Sequence, residues 1–256
     1  MRIININDIR YELPESWQEI IDSGHYMDVV RMLSGTEDEG LRKYELFKAL
    51  TGFDPSVLNL TDTGQEQLSE HLVMTVFGCL DFLYDPELVF IKNPIPSFEH
   101  DGVTYHGPDT ALNNQTGFQW EKSHQFQVLH DRTKDIRHLQ QLVYTNYIPA
   151  EAPKEMTALP DNLVYAICLW YGKCEKWWTQ GEYAWLFPTD DDAGEIPKSI
   201  IAPSGREIKD MLFKLAGSKL NADWDIVRGR TRQDIIFALD EMEKERERLE
   251  FAKKSG

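Results

Sequence analysis

Leu13-Pro14-Glu15-Ser16-Trp17-Gln18-Glu19-Ile20 reads as a chain held extended and then turned into a helix. A residue before proline is pushed out of the helical region, and proline itself tolerates only helix starts and turns. Ser16 and Glu19 stand at capping-box spacing, with the hydroxyl accepting from an early backbone amide and the carboxylate reaching back to the Ser16 amide. Trp17 is then a core residue on the first turn. The stretch opens a helical domain and marks no catalytic centre.

The pattern downstream stays helical. Gly24 interrupts it, and Ser23 is placed to cap a second short helix carrying Tyr26, Val29, Val30 and Leu33 at helical spacing. Residues 37–50 put Leu41, Tyr44, Phe47 and Leu50 on one stripe, with Gly52 just past the end. Residues 54–58 suit a one-turn helix, and Thr61 or Thr63 caps a long helix bearing Leu68, Leu72, Val76, Leu80 and Leu83. Together these form an N-terminal helical lobe, residues 1–84. Residues 85–117 are a proline-rich loop in which Asp101-Gly102 is a turn signal, so Phe98 and the Val103 to Tyr105 run can pair as a hairpin.

Helical periodicity returns in a second lobe, residues 118–256. Helices are expected over 118–129 and 135–147, followed by a proline-bearing segment, 148–160. The next helix lines a broad apolar face with Leu163, Ala166, Ile167, Trp170, Tyr171 and Cys174. Pro203 and Ser204 begin another, with Ile208, Met211, Leu212 and Leu215 before Gly217. The last starts at Thr231, shows Ile235, Ile236, Leu239 and Met242 at core spacing, and passes into the alternating charges of 241–250. The expected fold is therefore all-α and two-lobed, with a short β-hairpin or extended loop between the lobes.

Apolar residues make up 41% of the chain and aromatics 11%, the composition of a globular protein. The 27 basic and 43 acidic residues give a formal charge of −16, which repels phosphate backbones and anionic lipid surfaces, so neither nucleic acid nor membrane is an expected partner. Residues 1–9 have no signal-peptide pattern, and the most apolar window, 163–172, is about half of a bilayer span. An intracellular location follows as the expectation. Cys79, Cys168 and Cys174 make no Cys-x-x-Cys pair and read as reduced core or boundary thiols.

The one metal-like spacing is Glu121-Lys122-Ser123-His124 with Asp135-Ile136-Arg137-His138, because carboxylate and imidazole three residues apart face the same way from a helix. A helical metal-dependent enzyme would use Glu121, His124, Asp135 and His138. Such a site needs two further carboxylates from other helices, and Lys122, Gln125, Arg137, Gln140 and Gln141 read as a solvated face. His100 and His106 flank the hairpin turn without a third ligand, and Asp190-Asp191-Asp192 lacks the ligand spacing of a calcium loop. No phosphate loop or nucleophile elbow appears. No catalytic residue, metal ligand or cofactor is assigned. The aromatic run is read differently: Trp170 belongs to the core, while Trp177, Trp178, Trp185 and Phe187, with Met242 and Leu249 on the last helix, are the expected partner-binding residues.

The order of these landmarks resembles phage and prophage proteins of the tail-assembly-chaperone or minor-structural type, in the form found in Bacteroidetes hosts. The resemblance is carried by residues 13–20 with Tyr26 and Leu33, by Leu50-Thr51-Gly52-Phe53-Asp54-Pro55 leading to Leu58 and Leu60, and by the 68–83 helix. It continues through Gly117-Phe118, residues 139–149, residues 163–172, residues 212–217, Val227 and the 235–249 helix. The segment before Gly24 lacks the family's polar run, and Asn146 stands where an arginine-rich end is common. The resemblance implies a non-enzymatic protein-binding role: a chaperone covering apolar helical faces of the tape-measure protein in the bacterial host cytoplasm. The alternative it implies is a permanent virion component at the head–tail junction or baseplate.

Overall fold

The computed structural model describes residues 1–6, 8–35, 38–53, 78–85, 87–153, 155–181, 183, 207–217 and 224–255. The chain divides into two compact units, Met1–Phe90 and Ile91–Gly256.

The first unit opens on a hairpin that helical periodicity does not announce. Strands β1 (Arg2–Ile6) and β2 (Ile9–Leu13) pair antiparallel with Ile4 opposite Tyr11. Isoleucines on both sides of Asn7-Asp8 are its sequence signal, since β-branched residues favour strands; Asp8 takes the positive φ of a tight turn, 64°. Helix α1 (Trp17–Asp22) follows, and Ser16 Oγ accepts from the Glu19 amide at 3.2 Å. The other half of the expected box differs: the Glu19 carboxylate takes the Glu15 amide at 2.7 Å and the Met1 α-amino group, not the Ser16 amide. The Glu15 amide foremost, then the α-amino group, hold the Glu19 carboxyl below its ordinary pKa. Ser23 also acts elsewhere than expected, because its hydroxyl donates to the Ile20 carbonyl and closes α1. Helix α2 (Tyr26–Leu33) starts at His25 with no side-chain cap.

Helix α3 (Glu39–Thr51) is capped by Asp38, which accepts from the Gly40 amide at 2.8 Å, and ends at Gly52 with φ 69°, a left-handed conformation glycine adopts without strain. Its buried face meets β2, where Tyr11, Phe47 and Phe53 pack ring against ring. Trp17 lies stacked on Phe90 with Tyr26 edge-on to both. The expected helix at 54–58, and 68–77 of the expected 68–83 helix, lie outside the described residues. The described end of the latter, Gly78–Tyr84, is a 3₁₀ helix burying Cys79, Leu80 and Leu83.

In the second unit, β3 (Ser97–His100) and β4 (Val103–His106) form the expected hairpin around Asp101 and Gly102, at φ 52° and 76°, the mirror-image turn that fits strand twist. A third strand, β5 (Ile148–Pro149), pairs with β4. The ribbon therefore does not stand alone, as an isolated two-stranded one hardly can. Helices α4 (Gly117–Thr133), α5 (Ile136–Asn146) and α6 (Asp161–Gln180) follow, then α7 (Glu207–Ala216), α8 (Trp224–Gly229) and α9 (Arg232–Ser255). Thr116 and Gln119 make a full capping box at the start of α4. Helix α6 buries Val164, Ala166, Ile167, Trp170, Tyr171, Cys174 and Trp178.

The fold is thus mostly helical with two small antiparallel sheets, so all-α holds only approximately. Among the described residues, no helix is long and apolar enough to cross a membrane.

Candidate protein interface

The site is assembled where the start of α4 meets α8 and α9. Gly117 makes the approach possible: a Cβ there would lie 2.8 Å from Ile235 Cδ1 and 3.2 Å from the Val227 carbonyl oxygen. Its amide donates to the Arg230 carbonyl at 2.9 Å, and the Arg232 amide donates to the Gln115 carbonyl at 2.5 Å. These strand-like bonds fix which way the neighbouring side chains point.

Arg232 points inward and is fully buried, 0% exposed. Its guanidinium carbon sits 4.3 Å from the Trp120 ring centre and 5.5 Å from that of Trp178. Nη1 and Nη2 donate to the two oxygens of Glu175, and Nη1 also donates to Gln115 Oε1 at 3.2 Å. Gln115 in turn donates to Asn146 Oδ1 at 2.6 Å, and Asn146 to Ser123 Oγ at 2.7 Å. Burial first, and then the Glu175 charge, push the Tyr171 phenol well above its ordinary pKa. A buried charge persists only when paired in this way. The network pins α9 to α4 and α6.

Arg228, four residues earlier near the end of α8, is partly exposed. Its guanidinium lies 4.5 Å from the Phe118 ring centre and 5.5 Å from that of Trp224, and the Trp224 ring lies 5.7 Å from Phe213. Nη2 stands 3.0 Å from Glu121 Oε2. Phe118, Arg228, Trp224 and Phe213 therefore form a continuous ladder of plates. Its two ends are open, with Phe118 44% and Phe213 66% exposed. Arg and large aromatics are the residue types that dominate binding energy at protein interfaces. Chemically the ladder offers broad apolar contact and cation–π stacking, at little entropic cost because the plates already brace one another.

The expected contact residues distribute differently. Trp178 is a core residue, 2% exposed, with Nε1 donating to the Ala111 carbonyl at 2.6 Å and its ring stacked on Tyr183. Trp177 is partly buried against the same cluster, as is Met242. Leu249 is 55% exposed. Trp185 and Phe187 lie outside the described residues. The ladder residues escape sequence reading because each is ambiguous alone. Two signals point to them: Trp224 and Arg228 at one-turn spacing, and Phe213 out of phase with the Ile208, Leu212 and Leu215 stripe.

The metal-like residues do not come together. Glu121 is buried against Arg228, so it does not lie on a solvated face. Asp135 caps α5, where the Arg137 side chain first and its amide second pull the carboxyl pKa down to about 2. His124 and His138 are half-buried. Among the described residues, no three His, Cys, Asp or Glu side chains converge as a metal site. His100 bonds Thr157 Oγ1 at 2.8 Å, while His106 lies opposite Ser97 at the far end of the hairpin. Cys79, Cys168 and Cys174 are free thiols, and burial pushes Cys168 up to about 12, which leaves it protonated and unreactive.

No family model, curated protein or solved structure matches this chain.

Proposed function

We propose that this chain is a non-enzymatic protein-binding factor of phage tail assembly, a chaperone that covers apolar helical faces of the tape-measure protein in the bacterial host cytoplasm. The observation that carries the reading is the exposed ladder of Phe118, Arg228, Trp224 and Phe213. An amphipathic helix laid on it buries its apolar stripe against pre-braced aromatic plates, the mode by which many grooves capture helices. The order of sequence landmarks supports the tail-assembly assignment. The net charge of −16 would keep a loaded complex soluble by self-repulsion.

The test is co-expression with the long helical tape-measure protein encoded in the same genome. The two are expected to co-purify and the partner's soluble yield to rise; no association and no gain in solubility would overturn the reading. Mass spectrometry of purified particles separates the two roles. A chaperone is absent or rare there, whereas a head–tail junction or baseplate component is present in stoichiometric copies.

A further inference from the structure

Helix α9 changes character along its length. Ile235 and Ile236 near its start are buried, yet every residue from 244 to 249, and Phe251 and Ala252 beyond, is exposed. Intrahelical ion pairs run along this stretch: Lys244 with Asp240 at 2.5 Å, Arg246 with Glu243, and Arg248 with Glu245 at 3.7 Å. Met242 still packs on the core of its own chain, whereas Leu249, two turns further on, is exposed.

The sequence of this arm is polarised. Residues 240–245 hold Asp240, Glu241, Glu243 and Glu245 against Lys244, net −3; residues 246–254 hold Arg246, Arg248, Lys253 and Lys254 against Glu247 and Glu250, net +2. The arm as a whole is therefore −1, and the remainder of the chain carries −15 of the −16. Outside this segment the net like charge of two copies disfavours their association. Laid antiparallel, the acidic half of one arm faces the basic half of the other, the two helix dipoles oppose, and the exposed Leu249 side chains lie along the seam. The contact is isologous and closes on itself as a two-fold pair.

We infer that α9 is a self-association device, pairing two copies of this chain through an antiparallel contact of residues 240–254. This is independent of the aromatic ladder, and it would present two ladders to one long partner. The alternative is that the polarised charges act only within their own helix, complementing its dipole.

Sedimentation equilibrium at low ionic strength, over a wide concentration range, distinguishes the two. The weight-average mass is expected to climb from the 29.7 kDa of one chain toward twice that value, and to fall back with added salt. A mass that stays at one chain throughout overturns the inference. Two charge-reversed variants sharpen it: E241K/E243K/E245K, with a basic arm, and R246E/R248E/K253E/K254E, with an acidic one. Each alone is expected to be monomeric, and an equimolar mixture to form a 1:1 dimer. Variants that remain monomeric when mixed contradict pairing through this arm. Leu249→Glu changes an exposed position, leaves the fold intact, and is expected to raise the dimer dissociation constant at least tenfold.

Discussion

Arg228 and Arg232 stand four residues apart, one near the end of α8 and one at the start of α9, and each guanidinium lies over two aromatic rings beside one glutamate. One of them builds the core and the other a surface. Around Arg232, Glu175 and Gln115 satisfy the charge and both tryptophans are buried, so the cluster is spent on holding α9 in place. Around Arg228, the outer plates, Phe118 and Phe213, remain open. The same chemistry thus supplies structure when its rings are covered on all sides, and an exposed aromatic face when two of them are not.

The largest break in this comparison is Arg232→Ala. It leaves Glu175 without its buried partner and opens space between Trp120 and Trp178, and is expected to cost about 3–5 kcal/mol in urea unfolding followed by circular dichroism. The double variant Arg232→Met/Glu175→Gln is expected to recover much of that loss, because no charge is then stranded. Next comes Gly117→Ala, which drives a methyl against Ile235 and the α8 backbone; a loss of about 1–3 kcal/mol is expected, as for an overpacked core.

A smaller effect is a dependence of stability on pH. Burial raises the phenol pKa values of Tyr147 and Tyr171 in the second unit. The folded state keeps these protons while the unfolded state releases them above about pH 10, so unfolding is favoured as pH rises past that value. Below it the stabilisation is fully present. Chemical unfolding repeated from neutral to strongly alkaline pH should show stability falling only on the alkaline side, and Tyr171→Phe should flatten that fall. The smallest expected change is Phe213→Ser, within about 0.5 kcal/mol because the ring is largely exposed. Partner binding in the same variant should nonetheless drop sharply.

Much of the helical framework was legible in advance because it rests on local rules. Ser16, Gly52, Asp101-Gly102 and the Ile235-Ile236 pair announce a cap, a stop, a turn and a core face through their own spacing. The β1–β2 hairpin was not, since Ile3, Ile4, Ile6 and Ile9 are too few residues to separate a strand from a polar leader. Trp178 reads from the sequence as a partner-contact residue and lies in the core, because aromatic content alone does not distinguish the two. The ladder was hidden for a different reason. Phe118, Phe213 and Arg228 come from three helices, and only tertiary packing brings them together.

The central claim is that the ladder, and not the buried cluster beside it, meets the partner. Hydrogen–deuterium exchange of the co-purified complex against the free chain tests it most directly. Added protection is expected at the starts of α4 and α8 and across α7, around Phe118, Trp224 and Phe213, with α6 around Glu175 unchanged. Protection confined to other parts of the chain, with these three helices exchanging as in the free protein, would contradict the account.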